Sequence, residues 1–107
     1  MNFLVREMTY LRYFIPLILE GNNRGIESKM FVDYSCQKYN SPLRHRNQLI
    51  ELSKEHNFEV YPIDQAPKST GISFLIEGEL GEYCQNSTKV SITYATDFIG
   101  SWSKYID

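Results

Sequence analysis

Apolar residues fall along the chain in short clusters, and the period within each cluster switches between the two values that distinguish strands from helices. Asn2 to Val5 is a short apolar opening that ends at charged Arg6 and Glu7, which predicts a buried strand whose end meets solvent. Leu11, Phe14, Ile15, Ile18 and Leu19 recur at helical spacing, and Gly21-Asn22-Asn23-Arg24-Gly25 supplies the stop. Pro16 lies inside this helix, where it removes a backbone donor and crowds the Arg12 carbonyl, so the helix is expected to start late or to kink there. Lys29 to Val32 predicts a second strand, and Asp33 to Ser41 a polar, tyrosine-bearing loop.

Ser41-Pro42 has the form of an N-cap followed by proline at the first helical position, opening a helix that carries Leu43, Leu49, Ile50 and Leu52 to about Asn57. Phe58 to Ile63 predicts a third strand, set at a sheet edge or cut short by Pro62, which has no N–H to give to a ladder. Gly71 to Glu77 is a nearly continuous apolar run, and Lys89 to Ala95 alternates Val90, Ile92 and Tyr94 with polar residues; both predict strands, the first more buried than the second. The link from Asp64 to Thr70 is shorter than the dozen or so residues of a helical crossover, so either that connection is a single turn or one strand runs antiparallel. Phe98, Ile99, Trp102, Tyr105 and Ile106 predict a last amphipathic helix. This order of elements specifies an α/β fold: a Rossmann-like three-layer sandwich with a mainly parallel sheet of about five strands and helices on both faces.

A chain of 107 residues is one domain's worth, so a single Rossmann-like domain over 1–107 is expected. The formal net charge is −2, with Lys and Arg scattered among Asp and Glu, and no basic footprint for nucleic acid is visible. The longest apolar run, Phe14 to Leu19, is too short to span a bilayer, and the first residues lack a basic segment leading into a signal-peptide core, which points to a cytoplasmic protein. Cys36 and Cys84 have no metal-ligand spacing around them and are expected as free thiols, with no metal and no bound cofactor.

In open parallel sheets, ligands bind beyond the carboxyl ends of the strands. A polar-lined cleft is therefore expected there, with Tyr10, Arg12, Arg44, His45 and Asp97 near its rim. The turn after the first strand has no glycine, so a backbone approach to a dinucleotide pyrophosphate is not expected. Tyr10, Arg12 and Tyr13 offer stacking faces and a guanidinium to a sugar or phosphate; the alternative is that they are solvated groups on the outer face of the helix. Arg44, His45 and Arg46 fall in the first turn of the second helix, whose free N–H groups favour an anion, so Arg44 and Arg46 join Tyr10 and Arg12 as substrate-binding candidates. His45, with an ordinary pKa near neutrality, is a candidate general base, the alternative being a surface or packing residue, and Asp97, just past an inner strand, is a candidate acid or base, the alternative being the cap of the following helix. Glu77-Gly78-Glu79 places two further carboxylates past another strand.

The run from Tyr10 through Arg12-Tyr13-Phe14-Ile15-Pro16 to Glu20, followed by Asn23-Arg24-Gly25-Ile26-Glu27, resembles the first helix and turn of GT-B glycosyltransferases and the related sugar-phosphate and glycerol-phosphate transferases. The stretch Ser91-Ile92-Thr93-Tyr94-Ala95-Thr96-Asp97-Phe98 looks like their late strand and loop. The resemblance implies the N-terminal, acceptor-side half of such an enzyme, incapable of transfer until a second α/β domain or subunit supplies the grip on a nucleotide-sugar or phosphorylated ligand. A second class of function is also open: a non-catalytic Rossmann-like or flavodoxin-like interaction domain that docks a partner through its apolar C-terminal helix.

Overall fold

The computed structural model describes residues 1–34 and 46–92. Strands β1 (Asn2–Val5), β2 (Lys29–Val32), β3 (Glu59–Pro62), β4 (Gly71–Ile76) and β5 (Ser87–Ile92) form one sheet in the order β3-β2-β1-β4-β5, and every neighbouring pair is parallel. The expected Rossmann-like architecture is thus present, with β1 at its centre. The chain builds from β1 through β2 to β3 on one side and then returns past β1 to lay down β4 and β5 on the other. That reversal is the topological switch at which open α/β sheets usually place their ligands.

Two α-helices, α1 (Leu11–Asn23) and α2 (Arg46–His56), pack on one face. In α1 the buried residues Leu11, Phe14, Ile18 and Gly21 follow helical spacing, and they meet Phe3, Val5, Met30, Val32 and Ile76 from the sheet, with Leu49 of α2 alongside. Phe3 is the hub of this layer, its ring centroid 5.1 Å from that of Phe14 and 5.1 Å from that of Phe74. Both helices end on a left-handed residue. Gly25 (φ 73°) closes α1 through Ile26 N–H to Gly21 O and Gly25 N–H to Asn22 O, and Asn57 (φ 58°) closes α2 through Phe58 N–H to Ser53 O. Ile26 to Gly21 and Phe58 to Ser53 are the six-to-one bonds of a Schellman cap and Gly25 to Asn22 its five-to-two bond, and they satisfy carbonyls that the helix leaves open.

Of the two alternatives for the helix carrying Pro16, the late start is not observed: α1 begins at Leu11, directly after a 3-10 turn at Met8–Tyr10, and runs through the proline. Among the described residues the second face is covered by short 3-10 segments, Ile63–Lys68 and Gly81–Tyr83, and Leu4, Phe31 and Leu75 pack there against Ala66, Leu80 and Cys84. A 3-10 helix rises about 2.0 Å per residue against about 1.5 Å for an α-helix. Six residues of it therefore carry the chain from the edge strand β3 back to β4, which resolves the short link in favour of a compact crossover and keeps the sheet parallel. Pro62 is the last residue of β3, an edge strand, as its missing donor requires. On the helical face of β4 and β5, Ile72 and Val90 stay exposed. The expected final helix around Trp102 lies outside the described residues.

Removing the hub ring leaves a cavity that the facing helix cannot collapse into. Phe3→Ala is expected to lower unfolding stability by about 3–5 kcal/mol. The exposed Ile50 on α2 should cost under about 0.5 kcal/mol when truncated to alanine, and urea unfolding of both variants checks the contrast.

Candidate active site at the strand switch

β1 and β4 lie side by side at the centre of the sheet, and the chain leaves their carboxyl ends in different ways. After β1, Arg6 and Glu7 lead into the Met8–Tyr10 turn. After β4, Glu77 (φ 54°), Gly78 (φ 72°) and Leu80 (φ 69°) all adopt left-handed backbone. Glycine does this freely, whereas a glutamate and a leucine pay roughly 1–2 kcal/mol each for it. The loop is nevertheless well tied down: Glu77 N–H donates to Ile92 O at 2.8 Å, Gly78 N–H to Ser91 Oγ at 2.8 Å, and the Leu80 side chain is buried in the second core. The consequence of this strained turn is the position of Glu79, which is carried back over β1.

Glu79 accepts a hydrogen bond from the Tyr10 hydroxyl and faces Arg6, whose Nη1 lies 3.5 Å from Glu79 Oε2. Arg6 Nε lies 3.7 Å from Asp33 Oδ2, and Asp33 follows β2 directly, its N–H bonded to Val5 O at 2.9 Å. Three strand ends thereby meet at one guanidinium, with two carboxylates and a phenol around it. These side chains are partly screened from water: 24% of Arg6, 13% of Asp33 and 30% of Glu79 remains exposed, so their mutual attraction is stronger than on an open surface. Beside them, the Arg46 guanidinium sits 4.3 Å from the ring centroid of Tyr34, and Arg12 lies 5.7 Å from that of Tyr13.

The structure sorts the sequence candidates accordingly. Tyr10 is at the strand switch but is no solvated stacking face: it is 2% exposed, its ring edge-on to Phe14 with centroids 6.3 Å apart, and its hydroxyl reaches Glu79. Arg12 and Arg46 are exposed on the two helices of one face, where they flank the carboxyl end. Arg44, His45 and Asp97 lie outside the described residues, as does Cys36. Among the described residues, cavities of about 390 and 320 Å³ open at the opposite, amino end of the sheet, and none of Tyr10, Arg12 and Arg46 lines either. Sequence reasoning passed over Arg6 and Asp33. The signal was present in the abrupt charge that ends each of the first two apolar strands.

Among the described residues, no group of three or more His, Cys, Asp or Glu is arranged to hold a metal ion, and no helix is long and apolar enough to cross a membrane. No protein-family model, curated protein or solved structure matches the chain.

The Tyr10–Glu79 bond bridges the first helical turn and the β4 loop, so the two residues are expected to be energetically coupled. A double-mutant cycle of Tyr10→Phe and Glu79→Gln should return a coupling of about 0.5–1.5 kcal/mol in thermal or urea unfolding, whereas a cycle of Tyr10→Phe with the distant Glu51→Gln should be additive.

Proposed function

We propose that the domain is the acceptor-binding half of a GT-B-like glycosyltransferase, and that its acceptor is a polyhydroxylated molecule held at the strand switch. The observation that supports this reading is the convergence of Asp33 and Glu79 on Arg6 at the carboxyl ends of β1, β2 and β4. Ionised carboxylates are pure hydrogen-bond acceptors, and hydroxyl groups are the donors they match. A phosphate would meet repulsion from Asp33, Glu77 and Glu79 at this place, and the turn after β1 offers no glycine-rich backbone to wrap it. Tyr13 and Tyr34 supply ring faces at the rim, a surface against which the apolar side of a sugar or polyol packs.

Transfer to a hydroxyl also needs a base in contact with it, and a carboxylate is one type of group that takes that role. Asp33 and Glu79 therefore join His45 and Asp97 as candidates for that role. Binding and turnover separate in this reading. One domain provides one wall of the reaction cleft, and a nucleotide-sugar must be gripped by a second α/β domain or subunit before donor and acceptor stand at reacting distance.

Titrating the labelled chain with methyl α-glucoside at millimolar concentrations is expected to shift the amide NMR signals of Arg6, Asp33, Tyr34 and Glu79. Asp33→Asn with Glu79→Gln should abolish the shifts while the remaining spectrum stays dispersed. Shifts that survive in the double variant, or that fall only at the amino end of the sheet, refute the acceptor site.

A further inference from the structure

The sheet carries a second polar feature, far from the strand switch and on the face that the 3-10 segments cover. Side chains alternate between faces along a strand, and register partners stand side by side. Glu59 pairs with Lys29, Lys29 with Asn2, Asn2 with Ser73 and Ser73 with Lys89, so one continuous row of polar residues crosses all five strands near their amino ends. The next row on the same face contains Tyr61, Phe31, Leu4 and Leu75 and is part of the second apolar core. Two members of the polar row are deeply buried, Asn2 at 3% and Ser73 at 2% exposure. Burying an amide and a hydroxyl on a sheet face is costly unless each is bonded. Asn2 Nδ2 donates to Thr70 O at 2.9 Å and to Ser73 Oγ at 3.3 Å, and Ser73 Oγ shares a 2.6 Å hydrogen bond with Ser87 Oγ.

Two residues of this row, Asn2 and Lys29, line the 320 Å³ cavity together with Phe31, Tyr61, Lys68 and Thr70. The size falls at the low end of the range of small-molecule sites, and the lining is mostly polar with Phe31 and Tyr61 as its aromatic wall. Phe31 and Tyr61 stack on each other at 5.7 Å with planes 26° apart, giving a flat apolar flank. Lys29 and Lys68 bring two ammonium groups. Glu59 is the opposing charge, and it is already engaged: the Tyr61 hydroxyl, then Glu27, holds its carboxyl below the usual carboxylate range, with Lys29 adding to the effect. With both Asn2 amide hydrogens committed, its carbonyl oxygen is the group that side chain can offer to a donor in the cavity.

We infer that this amino-end cavity is a binding site for a small aromatic anion, with Lys29 and Lys68 taking the anionic group, Tyr61 the ring face and Asn2 a ring-borne hydrogen-bond donor. The site is independent of the acceptor reading. It uses no residue of the strand switch and lies at the other end of the sheet.

Adenosine monophosphate combines the three required features and serves as the probe, with adenosine and inorganic phosphate as its separated parts. Titrated into the full chain and followed by amide NMR, the nucleotide should shift Asn2, Lys29, Tyr61, Lys68 and Thr70, and bind at least about tenfold more tightly than either part. Lys29→Met and Lys68→Met should each weaken it by about tenfold while leaving the thermal unfolding midpoint close to that of the parent, because neither ammonium is buried in the core. Tyr61→Leu should weaken the nucleotide and adenosine but leave phosphate unchanged. Equal binding of phosphate and nucleotide would reduce the site to a pair of surface lysines and overturn the proposal. Absence of shifts, or shifts confined to Arg6, Asp33 and Glu79, would overturn it as well.

Discussion

Everything in the fold hangs on a central strand of four residues. Asn2–Val5 is hydrogen-bonded to β2 along one side and to β4 along the other, and all four of its side chains are buried. Phe3 and Val5 face the helices, whereas Leu4 faces the 3-10 layer and Asn2 the polar row beside it. A strand this short cannot slip by one residue without exchanging those two sets, which would bring Asn2 against Phe14 and Phe3 against Ala66. Register is thus fixed by four side chains, and both proposed sites inherit it: Arg6 is the first residue beyond the strand, and Asn2 is its first residue.

The two faces reach closure by different routes. The helical face uses an amphipathic stripe, capped at Gly25 and Asn57, and gains large rings such as Phe14 for its packing. Among the described residues, the opposite face is covered by short 3-10 segments, which contribute the apolar residues Ala66, Leu80 and Cys84. Toward the amino end the same face carries the polar row, whose buried members Asn2 and Ser73 are bonded to each other.

Much of the scaffold was legible in the sequence because strand ends coincide with changes of residue type. Arg6 and Asp33 close the first two strands, and Pro62 both ends β3 and forces it to the edge. The fifth strand was less legible, its observed span Ser87–Ile92 beginning before the expected Lys89, because an edge strand exposed along most of its length carries little hydrophobic pattern. Tyr10 was read as a solvated or stacking side chain, yet it is core. Its separation of four from Phe14, and of eight from Ile18, places it on the buried stripe, and the 3-10 turn continues that stripe one residue ahead of the α-helix. The site itself was least legible. Arg6, Asp33 and Glu79 are far apart in sequence, and only the strand order brings them together; that order depends on a crossover too short to have been assigned by pattern alone.

Charge is distributed differently at the two ends of the sheet. At the carboxyl end, carboxylates outnumber the arginine they share, and the strained Glu77–Leu80 turn spends backbone energy to aim one of them. Such strain persists only when surrounding contacts over-determine it, and here the bonds to Ile92 and Ser91 and the burial of Leu80 do so. At the amino end, two lysines stand over bonded amides and hydroxyls with an aromatic flank. Between them lies the row through Tyr61, Phe31, Leu4 and Leu75, a mainly apolar strip that separates the two ends. A hydroxyl-rich ligand at one end and an anion at the other would therefore occupy the domain together without electrostatic conflict, each recognised by side chains anchored on the same four-residue strand.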